Sequence, residues 1–340
     1  MNSDVIIIGA GPIGLETAIA LDGVGRHAVI LDSGMVGATI ATFPPGTRFF
    51  SSPERIAIAG VPIPSSLQEK TSREEYLAYL RCVSTQFALD VRTYHHVTDA
   101  IRQNGEWVVT TASPSGAVRT FHAPTVVLAT GGTGRIRTLG VPGEDLGHVS
   151  HDPGDPHRFH GRRLVIIGGK NTAVETAIRA FRCGSDVTLI HRGSDIHKRV
   201  KHWLSPEFKA LVSCSDISTS FGATAKEITA EGVVITTSTG NMETIAADDV
   251  LLAIGYECDT SVFQLFGVEL KGDASAPVYD PLTMQTDVDG VFIAGTVIAG
   301  TQASYQVFIE NAHIHSARIA AYLNGDSPPP DPPVRPIPEA

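Results

Sequence analysis

Two stretches of this chain repeat one pattern of apolar and polar positions. The first reads DVIIIGAGPIGLETAIAL and then AVILDSG; the second reads RLVIIGGKNTAVETAIRA and then VTLIHRG. In each, a continuous apolar run predicts a strand buried on both faces, followed by a glycine-rich turn. A stretch of helical period comes next, and a second apolar run closes the unit. Gly9 falls opposite Gly168, Glu16-Thr17-Ala18-Ile19 opposite Glu175-Thr176-Ala177-Ile178, and Asp32 opposite His191. Strand, tight turn, helix and strand in this order make the βαβ unit that holds a dinucleotide pyrophosphate at a helix N-terminus. Two such units in one chain predict two dinucleotides brought together, and the usual chemistry of such a pair is hydride transfer.

The copies differ where they meet their ligands. The first has the complete pattern Gly9-x-Gly11-x-x-Gly14: a sharp turn, close approach of the pyrophosphate, and close packing of helix on strand. Asp32 ends the second strand, where a carboxylate accepts from ribose hydroxyls and repels a 2′-phosphate, so this copy is expected to bind FAD or NAD(H). In the second copy His191-Arg192 replaces the acid, with Lys198, Arg199 and Lys201 following. Cationic groups there suit the extra phosphate of NADPH; one charge-assisted bond contributes roughly 1.5–3 kcal/mol, about a ten- to hundredfold preference. Lys170 stands where Gly11 stands in the first copy. Its side chain either crowds the pyrophosphate or neutralises it.

The segment from Gly37 to Pro64 is rich in proline, threonine and serine and reads as a loop lying along an extended cofactor. Ser72-Arg73-Glu74-Glu75 is a capping pattern that predicts a helix over Tyr76–Phe87. Val91–Val97, Trp107–Thr111 and Arg119–His122 predict three strands of a meander. Apolar runs ending at Thr130-Gly131, Ile254-Gly255 and Gly295-Thr296 predict buried strands whose glycines let the chain pass close to a cofactor. Residues 134–160 read as a surface linker; its His148, His151, His157 and His160 have no fixed face and no cysteine to complete a metal set. Residues from about Ser304 to Leu323 predict an amphipathic helix ended by Asn324-Gly325, with an electropositive N-terminus suited to a reduced flavin's anionic ring edge. The proline-rich tail, residues 326–340, is expected to be extended and mobile.

A length of 340 residues predicts two domains. The net charge of −10, with no offsetting basic stripe, argues against nucleic acid or an anionic membrane as main partner. The apolar run Val5 to Leu15 is broken by glycines and a proline, is too short to span a bilayer and lacks a basic leader, so a cytoplasmic protein is expected. Cys82, Cys183, Cys214 and Cys258 form no C-x-x-C and no zinc-ligand spacing, and no metal is expected.

The order GAGPIGL, ATG, VPGED, GGKNTAVE, HRG, AIGY and DGVFIAGT resembles the thioredoxin-reductase-like flavoproteins. Within them, TFPPGTRFFSSPE, the GGKN turn and FIAGTVIAG…FIEN are most similar to the bacillithiol-disulfide (bacilliredoxin) reductases, over about residues 4–323. The resemblance implies an α/β fold of two Rossmann-like domains, usually as a homodimer. A discontinuous FAD domain (1–133 plus 257–325) would carry an inserted NADPH domain (134–256), followed by the tail (326–340). It carries Gly9, Gly11, Pro12, Ile13, Gly14, Asp32, Ser33, Thr130, Gly131, Gly295 and Thr296 to FAD. Gly168, Gly169, Lys170, Asn171, Thr172, Ala173, His191, Arg192 and Gly255 go to NADPH. Two departures stand out. Thioredoxin reductases have a C-x-x-C before the second glycine turn, where this chain reads SHDPGDPHRF. The bacillithiol enzymes often have cysteine inside the first glycine motif, where this chain has Ile13.

Hydride transfer from NADPH to flavin asks only position and electrostatics of the protein, so no catalytic side chain is assigned. The acceptor is then a low-molecular-weight thiol disulfide, or alternatively ferredoxin, flavodoxin or another small redox partner; a third reading is a non-catalytic flavin-based sensor. The F-x-G-x3-H-x3-W signature of a flavin monooxygenase is missing.

Overall fold

The computed structural model describes residues 3–65 and 68–332. It is α/β and divides into two compact units. The first comprises residues up to Ala41, Gly46–Arg135 and the chain from Tyr256 onward; the second comprises Thr42–Pro45 and Ile136–Gly255.

The first unit opens with β1 (Val5–Ile8), α1 (Pro12–Asp22) and β2 (Ala28–Leu31). Helix α2 (Arg73–Gln86) starts at the predicted capping box: Ser72 Oγ accepts from Glu75 N, and Glu75 Oε2 accepts from Ser72 N at 2.7 Å. Then come β3 (Asp90–Arg92), the antiparallel meander β4 (His96–Gln103), β5 (Glu106–Ala112) and β6 (Val118–Ala123), and β7 (Thr125–Leu128).

The second unit contains β8 (Val149–Ser150), β9 (Arg163–Ile167), α3 (Asn171–Arg182), β10 (Asp186–His191), α4 (Leu204–Ser213) and β11 (Ile217–Phe221). A second meander follows, β12 (Thr224–Thr229), β13 (Gly232–Thr236) and β14 (Met242–Ala246), and then β15 (Asp249–Leu252). Back in the first unit lie β16 (Val291–Ile293) and α5 (His313–Asn324).

Each unit is built on a five-stranded parallel sheet, in the orders β16-β7-β1-β2-β3 and β11-β10-β9-β15-β8. The central strands are buried throughout and almost wholly apolar because helices or a meander cover both faces, the usual state of a parallel sheet. In the second unit Leu164, Ile166 and Leu189 pack under α3 and α4, while Val165, Ile167 and Ile190 pack with the meander residues Val233 and Ile235. The paired registers bring Ile8, Leu31 and Leu128 level, so the turns after β1, β2 and β7 share one sheet edge. Ile167, Ile190 and Leu252 do the same in the second unit.

Four expectations need correction. The run Val91–Val97 is not one strand: Tyr94 adopts a left-handed φ of 58°, splitting it into β3 on the parallel sheet and β4 on the meander. The last helix begins at His313, not near Ser304. Gln302 Oε1 accepts from Gln306 N and Val307 N, and Asn311 Oδ1 accepts from Phe308 N, so side chains take the backbone bonds a helix would need. The linker 134–160 is partly core: Val149–Ser150 adds an edge strand to the second sheet, and Phe159 is buried. The tail begins bound, since the buried Arg318 donates to Pro329 O and pairs with Asp331 at 2.8 Å; residues 333–340 lie outside the described residues.

Candidate functional site

The first glycine turn leaves β1 at Gly9, whose φ is +117°; a Cβ there would fall 2.4 Å from Ala129 O. A Cβ on Gly14 would fall 1.9 Å from Gly9 O, so helix and turn touch only because both are glycine. Gly11 is different: its φ of −78° suits any residue, and a Cβ would meet nothing within 4 Å. The space beside it is open. Helix α1 has Pro12 in its first turn, no side-chain cap and no acidic residue there, so its first N–H groups remain for an anion. Ile13 is buried and lies beside Gly295.

Asp32 directly follows β2, with its carboxylate against the turn. Oδ2 accepts from Ala10 N at 2.6 Å and Oδ1 from Gly34 N at 2.7 Å; burial raises its pKa against the lowering effect of these two bonds. Each oxygen keeps a lone pair for a further donor. Ser33 is exposed. Across the sheet edge, Thr296 Oγ1 accepts from Gly132 N at 3.0 Å, joining the turns that follow β7 and β16. Gly131 and Gly295 hold φ of +79° and +86°, and Thr130 Oγ1 is buried with no protein partner. Gly295 N donates to Nδ1 of His315, 3.1 Å away in α5, so that ring is neutral; burial, then Arg318 and His313, lower its pKa to about 4.

The second turn repeats the first at Gly168, with φ of +155° and a Cβ position 2.4 Å from Ala253 O. Lys170 replaces the glycine at the open position; its φ of −104° is extended backbone, so the lysine costs no strain. Ala173 takes the place of Gly14 and is buried. Asn171 and Thr172 begin α3, which again has no side-chain cap and no acid in its first turn; Asn171 Oδ1 accepts from Lys201 N. Gly255, with φ of +96°, faces open space.

The expected cationic group is rearranged. His191 lies against Gly169, where a Cβ would be 2.6 Å from its ring, and burial followed by Arg192 and His197 lowers its pKa: it is a neutral platform. Lys201 is buried, with its ammonium in an ion pair with Glu175 at 3.1 Å. Lys170 joins the group instead. Its pKa is lowered by partial burial and then by Arg137, Arg192 and Arg199, so these four cations share one neighbourhood.

All four cysteines are free thiols. Cys258 is buried beside Gly131 O and its thiol is pushed up to about 11, first by burial and then by Asp259; Cys82 and Cys214 are exposed and Cys183 half-buried. Among the described residues no three histidines, cysteines or acids cluster as metal ligands, and no helix is long and apolar enough to cross a membrane.

A model of the pyridine nucleotide-disulphide oxidoreductases matches residues 6–295. The chain belongs to that family. Bacilliredoxin reductase Bdr of Bacillus subtilis (strain 168) is 35% identical over 324 residues, covering 95% of this chain and 98% of that protein. The solved bacillithiol disulfide reductase Bdr (YpdA) from Bacillus cereus superposes with a TM-score of 0.91 at 34% identity, over 96% of this chain and 99% of that one. A ferredoxin–NADP reductase of Ignicoccus hospitalis (strain KIN4/I / DSM 18386 / JCM 14125) is 26% identical over 327 residues, covering 94% of this chain and 97% of that protein. This member of the pyridine nucleotide-disulphide oxidoreductases has a thioredoxin-reductase-like fold and is an enzyme working with FAD and NADPH. Sequence reasoning missed His315 under Gly295 and the Lys201–Glu175 pair; both are contacts across the fold with no local spacing signal.

Proposed function

We propose that the first unit holds FAD, the second holds NADPH, and the pair reduces a low-molecular-weight thiol disulfide. The carrying observation is the asymmetry of the two turns: a carboxylate at Asp32 in one, and Lys170, Arg137, Arg192 and Arg199 gathered in the other. The first unit fits FAD because Gly11 leaves room for a pyrophosphate, α1 is uncapped, Asp32 has lone pairs for ribose hydroxyls, and Thr130 Oγ1 lacks a partner. The second fits NADPH because His191 offers a flat face, Arg192 and Arg199 bring charge to the 2′-phosphate end, and Lys170 neutralises the pyrophosphate. When bound, NADPH supplies a hydride and FAD relays the electron pair to the acceptor. The chain's own residues bind and orient; none supplies an acid, base or nucleophile for the hydride step.

The likeness to the Bdr proteins favours a disulfide acceptor. Ile13, and the burial of Cys258 with its thiol pushed up to about 11, favour a second reading, an electron-transfer reductase for ferredoxin or another small redox protein, in keeping with the Ignicoccus relative. A cytoplasmic homodimer suits both readings, and unpaired cysteines fit a reducing compartment. The test is anaerobic reoxidation of the NADPH-reduced flavin by small-molecule disulfides, a protein mixed disulfide and ferredoxin, followed in a stopped-flow instrument. Fast reoxidation by disulfides alone is expected. Ferredoxin alone would establish the second reading, and no acceptor at all would leave a flavin-based sensor. Replacing each cysteine by serine in turn is expected to leave disulfide turnover intact; loss on one replacement refutes a thiol-free route.

A further inference from the structure

His313 begins α5 with both ring nitrogens facing acceptors. Nδ1 lies 2.7 Å from Glu16 Oε2, and Nε2 lies 2.9 Å from the carbonyl oxygen of Arg55. A neutral imidazole has one N–H and satisfies one of these; only the imidazolium donates to both. Three distant pieces of the first unit meet at this ring. Glu16 lies in α1, within two turns of the glycine cradle, and its other oxygen accepts from Ala59 N at 2.9 Å. Arg55 belongs to a short helical turn, Pro53–Ile56, in the segment that follows Asp32. His313 and Ser316 lie in α5, and Ser316 Oγ meets Thr17 Oγ1 of α1 at 2.9 Å.

Charged groups from three elements gather at the ring. Glu16 comes from α1, Arg55 from the short turn, and Glu310 from the 3-10 turn Ile309–Asn311; Glu310 Oε2 is 3.5 Å from Arg55 Nε. On α5 itself, His315 is neutral and Arg318 is turned to Pro281 and the tail. With His313 charged, the ring pairs with the Glu16 carboxylate, beside the contact of Arg55 with Glu310. Burial opposes that charge, but the bonds and attraction of Glu16, the Arg55 carbonyl and Glu310 outweigh it and raise the ring's pKa above the ordinary 6.5.

We infer that His313 is a positioning residue, a charged clamp that seats residues 55–59 against the cradle helix α1, so that the first unit holds FAD less firmly once the ring loses its proton. The inference rests on the assignment of FAD to this unit. The sign follows from the raised pKa: the clamp is complete at and below pH 6.5 and is lost as pH rises through the folded-state value.

The experiment is the rate of FAD release from purified holoenzyme, read by flavin fluorescence from pH 6 to 10. Wild type is expected to release FAD about tenfold faster at the alkaline end, through one titration above pH 6.5. Glu16→Gln is expected to move the midpoint down, and His313→Gln to be fast and flat at every pH. Imidazole 15N spectra at pH 6.5 are expected to show both His313 nitrogens protonated. A flat wild-type profile, an unchanged titration in His313→Gln, or a neutral ring overturns the clamp. Should His313→Gln not fold, the wild-type titration and the ring spectra decide. A protein that binds no FAD refutes the function instead; protection of the Ala59 amide in flavin-free chain, taken as its exchange rate relative to the intrinsic rate at each pH and expected to fall through the same titration in wild type but not in His313→Gln, then still tests the clamp.

Discussion

Asp32 reaches across from the end of β2 to hold the N–H of Ala10 at 2.6 Å, tying the acid to the glycine turn it is expected to serve. Asp32→Asn turns one acceptor oxygen into a donor that faces Ala10 N–H or Gly34 N–H. A part-buried N–H left without its acceptor costs about 1–3 kcal/mol. The variant is expected to carry less FAD per chain and, stripped of flavin, to melt at lower temperature than stripped wild type. An unchanged melt of the stripped protein would mean that the carboxylate serves the ligand alone.

Lys201 and Glu175 are each about nine-tenths buried, with side-chain exposure of 9% and 9%. Glu175 keeps Arg179 at 3.0 Å on its other oxygen, so removing Lys201 leaves the acid half paired and costs less than the about 3–5 kcal/mol of a fully stranded buried charge. Lys201→Met is therefore expected to destabilise the second unit in urea unfolding, with little change in KM for NADPH in the folded fraction. A large rise in KM at unchanged stability would return Lys201 to the nucleotide.

Arg192 stays at the sheet edge, next to the neutral platform of His191. Arg192→Ala is expected to raise KM for NADPH by about ten- to a hundredfold and to leave KM for NADH nearly unchanged. Equal effects on both nucleotides would exclude a contact with the 2′-phosphate.

His315 accepts from Gly295 N–H and is therefore held neutral, with a pKa lowered to about 4. A group depressed in the folded state contributes full stability above its unfolded value, 6.5, and loses that contribution as pH falls towards about 4. Wild type is expected to lose a few kcal/mol over that window from this ring alone. His315→Gln keeps an acceptor for Gly295 and removes the titration, so its unfolding free energy should fall less between pH 6.5 and 4. Parallel curves for the two proteins would show that His315 does not titrate on unfolding.

The glycine turns were readable because backbone geometry leaves no alternative there. Gly9 and Gly168 sit at φ of +117° and +155° with carbonyl oxygens 2.4 Å from any Cβ, so the residue type records the conformation. Apolar runs such as VIII and TVVL were readable because both faces of a parallel sheet are covered. Residues 302–312 were not. Their helical period is intact, but Gln302 and Asn311 capture backbone N–H groups and cancel it. Nor was the destination of Lys201 readable, since Glu175 is inward-facing only after α3 has packed on its sheet. Periodicity reports which face is apolar; it does not report which of several nearby cations finds the buried acid.

Arg318 carries its guanidinium into the interior of α5, with only 5% of the side chain exposed, and meets Asp331 beyond the last helix. Arginine does not shed its proton to escape such a place, so the balancing negative charge must be delivered by the protein. Composition alone would mark the stretch after Gly325 as expendable. Trimming the chain at that glycine would instead take away the Pro329 carbonyl and the Asp331 carboxylate together, leaving the Pro281 carbonyl as the remaining acceptor of this arginine and loosening the packing of the final helix.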